Sequence, residues 1–386
     1  MNSASATARD PDGKNEAMPV ITSAWTRAAV AAIREDGARL PVLTAATIGP
    51  VVAGLDLWDM WQIEDADGAT LMRDGRAWWF FLAAPREGDP ELRHDRARIH
   101  LLSHGADGWR DHGPALPDGA TPGSREWSGS ARLAADGQTL TLYFTAAGDR
   151  HGGPRFAQRL FEMHGRLTVS ADGARCEGWG APVEMIVADG HWYARADQDA
   201  PVGGGILGFR DPGYVRDPAD GNEYVLFTGS AGQDHAAGVI GAARRDGDGW
   251  TLLPPLIAAP AVNSELERAH IIVRDGRYYL FWSTQGRRFA EGLVAPTGLY
   301  GMVADRLLGP YRPVNGTGLV AGNPPSAPFQ AYCWWVTAEG TVASFIDYPG
   351  TDDPHDASPH ARRARFGGVA APFFRLRFAG DAVTFG

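Results

Sequence analysis

The sequence predicts an all-β fold, a five-bladed β-propeller preceded by a short N-terminal helical segment. Two observations carry this. A tight Asp-Gly or Glu-Gly turn followed by a β-branched or aromatic run occurs five times, and Asp-Gly before such a run is a strong hairpin signal. The five occurrences lie roughly 55 to 85 residues apart, a spacing that leaves room for several strands per unit, as in propeller blades. A large β-sandwich is the alternative that the same strands allow.

Residues 1–20 are small, polar and charged, without periodicity, and read as a disordered tail. Residues 21–386 read as one catalytic domain. Its first element is a helix from Ser23 to Glu35, with Ser23 as N-cap and Ala29, Val30, Ala32 and Ile33 on one apolar face. After Arg39 the pattern changes to short strands separated by Gly, Pro and Asp. Asp74-Gly75 leads into Trp78-Trp79-Phe80-Phe81, and Asp136-Gly137 into Leu140-Thr141-Leu142-Tyr143-Phe144. Asp220-Gly221 leads into Tyr224-Val225-Leu226-Phe227, and Asp275-Gly276 into Tyr278-Tyr279-Leu280-Phe281-Trp282. Glu339-Gly340 leads into Val342-Ala343-Ser344-Phe345-Ile346. Asp189-Gly190-His191-Trp192-Tyr193 is a weaker sixth match, read as another hairpin within a blade.

Composition narrows the function. The net charge of −10, with no Lys/Arg cluster, argues against a nucleic-acid footprint and against a polybasic membrane patch. Lys14 is the only lysine, which excludes a phosphate-loop lysine and a Schiff-base lysine in a pocket. Cys176 and Cys333 are the only cysteines, too few for a disulfide framework or a Cys-rich zinc site; they read as two free thiols. The start of the chain lacks the basic residues and apolar run of a secretory leader, and no stretch approaches the ~18 apolar residues of a membrane span. The 13 tryptophans are many; most read as core, but Trp also supplies the flat apolar surface on which sugar rings lie.

Three segments set a carboxylate beside arginine or tryptophan: Leu57-Trp58-Asp59-Met60-Trp61, Phe209-Arg210-Asp211-Pro212 and Glu265-Leu266-Glu267-Arg268. Each lies ahead of a different hairpin unit. In a propeller the innermost strand of each blade lines the central channel, so these carboxylates can converge. On an extended strand Leu55, Leu57, Asp59 and Trp61 share one face. Glu265 and Glu267 also share a face, and two carboxylates that close raise the pKa of one of them, as a general acid requires. A retaining glycosidase needs such a set, one carboxylate to attack the anomeric carbon and one acid to protonate the leaving oxygen. Taken singly, each also reads as structural: a buried hydrogen-bonded Asp59, a turn at Asp211-Pro212, a solvated edge at Glu265.

The segments resemble glycoside hydrolase family 68, which comprises levansucrases, inulosucrases and bacterial β-fructofuranosidases. The matching pieces are Leu57-Trp58-Asp59-x-Trp61, Glu126-Trp127-Ser128-Gly129-Ser130-Ala131, Phe209-Arg210-Asp211-Pro212, Glu265-Leu266-Glu267-Arg268-Ala269 and Leu308-Gly309-Pro310-Tyr311. The resemblance implies a five-bladed propeller that cleaves sucrose, with no cofactor. Asp59 matches the nucleophile, Glu267 the acid/base and Asp211 the transition-state stabiliser. Trp58 and Trp127 match walls of the fructosyl pocket, with Ser128 near the nucleophile. Arg210, Glu265 and Arg268 match the donor-site polar shell, the last two facing the glucosyl unit. Gln330 and Tyr332 match further substrate-side residues, the tyrosine bonding the catalytic carboxylates. The implied partners are sucrose and sugar acceptors such as fructose and oligosaccharides; the resemblance implies a bacterial, extracellular setting, with the cytoplasm as the alternative that the start of the chain allows.

The chain also departs from the family. Gln285 stands where Arg or His commonly lines the acceptor side, and a neutral amide grips an acceptor hydroxyl less firmly than a guanidinium. This predicts products shifted toward hydrolysis or short oligosaccharides. Met60 replaces a small polar residue. Ser264 replaces an Asp found in calcium-binding members, which argues against that site and leaves no metal expected. The alternatives are a hydrolase of other β-fructofuranosides, such as fructo-oligosaccharides and levan, and a non-catalytic sugar-binding propeller.

Overall fold

A computed structural model describes residues 20–386 except 21, 36, 45–47, 49–51, 171–172, 202–204 and 233–235. The tail expected over 1–20 lies, but for Val20, outside the described residues. Among the described residues the chain is almost entirely antiparallel β, in one ten-stranded sheet and three five-stranded sheets. Five units follow one another along the chain, each opening with a buried strand and turning back through the hairpin read from the sequence. The opening strands are Leu55–Glu64, Arg125–Leu133, Phe209–Arg216, Glu267–Arg274 and Ala331–Val336. Their partners are Arg76–Pro85, Thr139–Ala147, Glu223–Ser230, Arg277–Thr284 and Thr341–Ile346. The first two units merge into the large sheet where Ile63 and Glu64 pair in parallel with Ala131 and Arg132.

The turns explain why the hairpin signal reads so clearly. Asp74 and Gly75 both have positive φ, 53° and 72°, as do Asp275 and Gly276 at 51° and 72°. Two consecutive left-handed residues twist a two-residue turn in the sense the strands require, and Asp-Gly adopts them at least cost.

Two expected elements differ. The helix spans only Arg27–Ala31 and is capped by Thr26, whose hydroxyl accepts from Ala29 N at 3.2 Å. Ser23 is not its cap. Ser23–Ala24 is a strand that pairs in parallel with Ile257 and Ala258, and the Ser23 hydroxyl accepts from Tyr311 N at 2.8 Å. Trp25 decides between the two conformations. Its ring is fully buried against Trp282, Phe289 and Tyr300, with centroids 5.0 to 5.7 Å apart, and its Nε1 donates to Thr317 O at 2.9 Å. Burying an indole of this size is worth about 3–5 kcal/mol, more than two helical turns provide. The second difference is at Asp189–Tyr193, which forms no strand. Asp189 Oδ1 instead accepts from the backbone N–H groups of His191, Trp192 and Tyr193, and the Tyr193 hydroxyl reaches inward to Leu253 O at 2.6 Å.

All five opening strands share one irregularity. The register with the partner strand slips between Trp58 and Trp61, Trp127 and Gly129, Arg210 and Gly213, Glu267 and His270, and Tyr332 and Trp335. Each slip is a bulge, which frees a residue from the ladder and re-aims its side chain. In four of them a non-glycine residue is left-handed: Asp59 (φ 43°), Asp211 (62°), Arg268 (56°) and Cys333 (53°). In the remaining one the freed residue is Ser128. Close backbone approach accompanies the bulges. A Cβ on Gly129 would lie 1.9 Å from Tyr143 O, and one on Gly213 would lie 2.3 Å from Ala269 O on the next opening strand. The bulge also corrects the expected strand face. Leu57 and Met60 enter one apolar cluster, Trp58 and Trp61 another, and Asp59 is turned out of the alternation between them.

Candidate active site

The five bulged residues surround the floor of one cavity of about 300 Å³, and Asp59, Ser128, Asp211, Arg268 and Cys333 all line it. Trp58, Trp127, Arg210, Glu265, Glu267, Gln285 and Tyr332 line it as well. Twelve of the thirteen residues are therefore accounted for once Cys333 is added, since eleven of the twelve named from the sequence line this space. The exception is Gln330. Its amide accepts from Leu43 N at 2.8 Å and donates to Pro41 O at 2.9 Å, so it fastens the N-terminal segment instead.

Asp211 is the most firmly held carboxylate. Ser128 Oγ donates to its Oδ1 at 2.6 Å and Thr228 Oγ1 to its Oδ2 at 3.0 Å, while its own N–H donates to Thr145 Oγ1 at 2.8 Å. Arg210 binds three carboxylates at once: Glu267 at 2.9 Å, Glu265 at 3.4 Å and Asp211 at 3.5 Å. Burial disfavours its charge, but Glu267, Glu265 and Asp211 outweigh this and raise its pKa. Glu265 is bound on its other oxygen by Arg288 at 2.8 Å. Glu267 also accepts a hydrogen bond from the Tyr332 hydroxyl. Burial, then the charges of Glu265 and Asp211, push Glu267 up to about 8 against the pull of Arg210. Burial and Glu265 thus favour its protonated form, as the Glu-x-Glu spacing predicts for one of the pair.

Asp59 stands apart from this cluster. Burial, helped by Asp211, holds its pKa above the ordinary carboxylate value against the pull of Arg268, a hydrogen bond from the Cys333 thiol and Arg93. Arg268 supplies charge from beneath. Its guanidinium donates to Met60 O at 2.6 Å and Cys333 O at 3.4 Å and lies over the rings of Trp61 and Trp335. It therefore ties together two backbone carbonyls of the floor, beside Asp59 and at Cys333. Below it His270 stacks on Trp335 with centroids 4.2 Å apart and bridges Arg268 O and Val336 N. Because Val336 N donates to Nε2, the ring proton sits on Nδ1, and burial brings the imidazole pKa down to about 3.

The sequence reading missed one wall. A 3₁₀ turn at Pro90–Arg96 places Glu91, Arg93 and His94 on the cavity. Arg93 lies 5.4 Å from the Trp58 ring centroid, and His94 packs edge-on to Trp58. Trp127 Nε1 donates to His94 O at 3.1 Å, so the backbone of this turn orients the indole. Burial works to raise Glu91, but Arg93 and the Tyr348 hydroxyl outweigh it and bring it down to about 2. Burial pushes Asp347 up to about 7. Asp89-Pro90 was a usable signal for the turn, since Asp89 caps it by accepting from Glu91 N at 3.1 Å and Pro is favoured at the first position. Nothing in the sequence marks Asp347.

The chain is similar to known proteins over nearly its whole length. The family model described as Levansucrase/Invertase matches residues 14–244 and 233–385. A levansucrase of Rahnella aquatilis is 31% identical over 406 residues, covering 92% of each chain. A levansucrase of Zymomonas mobilis is 32% identical over 402 residues, covering 95% of this chain and 90% of its own. Among solved structures, an inulosucrase from Halalkalicoccus jeotgali bound to kestose superposes with a TM-score of 0.85 at 36% identity, covering 95% of both chains. A levansucrase from Gluconacetobacter diazotrophicus does so at 0.79 and 26%, covering 95% of this chain and 90% of its own. With the family model spanning nearly the whole length, this chain belongs to glycoside hydrolase family 68, the levansucrase/invertase family.

Proposed function

We propose that this protein cleaves sucrose and passes the fructosyl group to water or to a sugar acceptor, with retention of configuration. The observation that carries the reading is the convergence of Asp59, Asp211 and Glu267 on one cavity, with Arg210 on Glu267 at 2.9 Å and hydroxyls on both oxygens of Asp211. Burial raises the pKa of both Asp59 and Glu267; Glu265 adds to the rise at Glu267, while Arg268, the Cys333 thiol and Arg93 oppose it at Asp59. Levansucrases over 92% of the chain and an inulosucrase bound to kestose support a fructose-based substrate.

In the first step an Asp59 oxygen bonds to C2 of the fructosyl unit and the bond from C2 to the bridging oxygen breaks. The Glu267 proton moves to that oxygen, and glucose leaves. In the second step Glu267, now ionised, takes a proton from water or a sugar hydroxyl. That oxygen attacks C2 from the vacated side, and Asp59 is released. Asp211, with both oxygens engaged by hydroxyls, is preorganised to bind fructosyl hydroxyls as positive charge develops on the ring. Arg210 orients Glu267, and Trp58 and Trp127 wall the fructosyl side. The five units with their bulged opening strands fit five blades around this centre, in a single domain over 21–386.

Incubation with concentrated sucrose, measuring free glucose and free fructose together, tests the proposal. Glucose release that disappears in Asp59→Ala and in Glu267→Ala supports it, and release retained in either variant removes it. Kinship with β-fructofuranosidase structures, such as that of Microbacterium saccharophilum at 25% identity, favours a second reading in which other β-fructofuranosides are preferred. Initial rates on sucrose, raffinose and levan separate the two.

A further inference from the structure

The acceptor side of the cavity holds an arginine after all, two residues beyond the position where the family resemblance puts one. Gln285 precedes a 3₁₀ turn, Gly286–Arg288, and all of Gln285, Arg287 and Arg288 line the cavity. Both flanks of the turn are anchored. Gly286 N donates to Thr297 Oγ1 at 2.9 Å, and Ser264 N donates to Arg288 O at 3.3 Å, which ties the turn to the segment entering Glu265 and Glu267.

The guanidinium groups on this cavity are otherwise committed. Arg210 and Arg288 bind Glu265, Arg155 binds Asp95 at 2.5 Å, Arg268 binds two floor carbonyls, and Arg93 donates to Pro90 O. Arg287 differs. It is exposed at the mouth, and among the described residues no carboxylate lies within ion-pair distance of it. Its Nε donates to Gln285 Oε1 at 2.5 Å; its surroundings and the Arg288 charge lower its pKa, against the weaker opposite pull of Glu265, Glu91 and Asp347. The amide thus fixes the direction of the guanidinium, and its two terminal nitrogens have no hydrogen-bond partner among the described residues.

We propose that Arg287 is the acceptor-binding residue of this enzyme and that Gln285 is its positioning residue. The ligand class is a neutral sugar with adjacent hydroxyls, which a planar guanidinium can bind through two parallel donors. The inference rests on the fructosyl-transfer reading above. It replaces the expectation that Gln285 itself grips the acceptor weakly.

The test is the ratio of fructosyl transferred to fructose freed in concentrated sucrose, for the unaltered protein, Arg287→Ala, Gln285→Ala, the double variant and Arg287→Lys. Arg287→Ala is expected to lower the ratio at least about tenfold, with both donors of the guanidinium removed. Gln285→Ala should lower it about threefold, an effect of well under 1 kcal/mol on this scale. The double variant should match Arg287→Ala alone, because the amide acts through the arginine. Arg287→Lys should recover part of the ratio, since charge is kept and the planar fork is lost. An unchanged ratio in Arg287→Ala overturns the proposal, as does an unaltered protein that releases glucose and fructose in equal amounts. Additive effects of the two substitutions overturn the positioning role. Absence of any glucose release is a different result, which counts against the sucrose reading itself.

Discussion

The floor and the mouth of the cavity are built in opposite ways. The floor comes from strand bulges, and its polar groups are engaged on several sides: Asp211 by Ser128 and Thr228, Arg268 by Met60 O and Cys333 O. The mouth comes from short turns, Pro90–Arg96 and Gly286–Arg288, and it retains a guanidinium held by one amide. Hydrogen-bonded strands fix a side chain more tightly than turns do. A reacting carbon needs that accuracy, whereas an acceptor drawn from a mixture of sugars does not. The difference teaches where to look for each property: bond breaking in the floor, product spectrum in the mouth.

Four substitutions test this division. Asp59→Asn keeps a residue that tolerates the left-handed backbone and removes the attacking oxygen. It should reduce glucose release on the order of 10⁴-fold or more without lowering the thermal midpoint. Glu267→Gln should cost about 10²–10⁴-fold. In the unaltered enzyme kcat/KM should fall tenfold per pH unit above about 8, because ionised Glu267 has no proton to donate. That basic limb should vanish in Glu267→Gln, and a limb that persists would assign it to another group. Arg268→Met leaves the Met60 and Cys333 carbonyls without their donor and should destabilise the protein by about 3 kcal/mol in urea unfolding. A loss of activity without loss of stability would instead mean that Arg268 serves the substrate directly. Gln330→Ala should cost about 1 kcal/mol through Leu43 and Pro41 and leave glucose release unchanged. A clear fall in sucrose turnover would return Gln330 to the site.

The legible part of the molecule was that governed by local chemistry. Asp-Gly supplies a glycine that takes positive φ at 75, 137, 221 and 276, and at 74 and 275 the aspartate does so too, so the hairpins were readable. The three carboxylate segments were readable because each carries its arginine or tryptophan within a few residues. What escaped depends on distant partners. Trp25 turns the start of the expected helix into a strand by packing against residues more than 250 positions away. Gln330 resembled a substrate ligand by motif, yet its amide is used by Leu43 and Pro41. Arg93 and Asp347 reach the cavity from segments outside the paired strands, and the charges of Pro90–Arg96 do not by themselves tell a site from a solvated turn. The strand alternation predicted for Leu55 to Trp61 failed at Asp59, because a bulge is set by pairing with the neighbouring strand and leaves no mark in periodicity.

The five repeated bulges give the floor a set of similar sockets. Two present carboxylates, Asp59 and Asp211, and the others a hydroxyl, a guanidinium and a thiol, four of the five on a left-handed residue. What a socket holds is decoupled from how it is held. Ser128 and Cys333 touch Asp211 and Asp59 through their side chains, so a change in either socket is felt at once by the carboxylate in another.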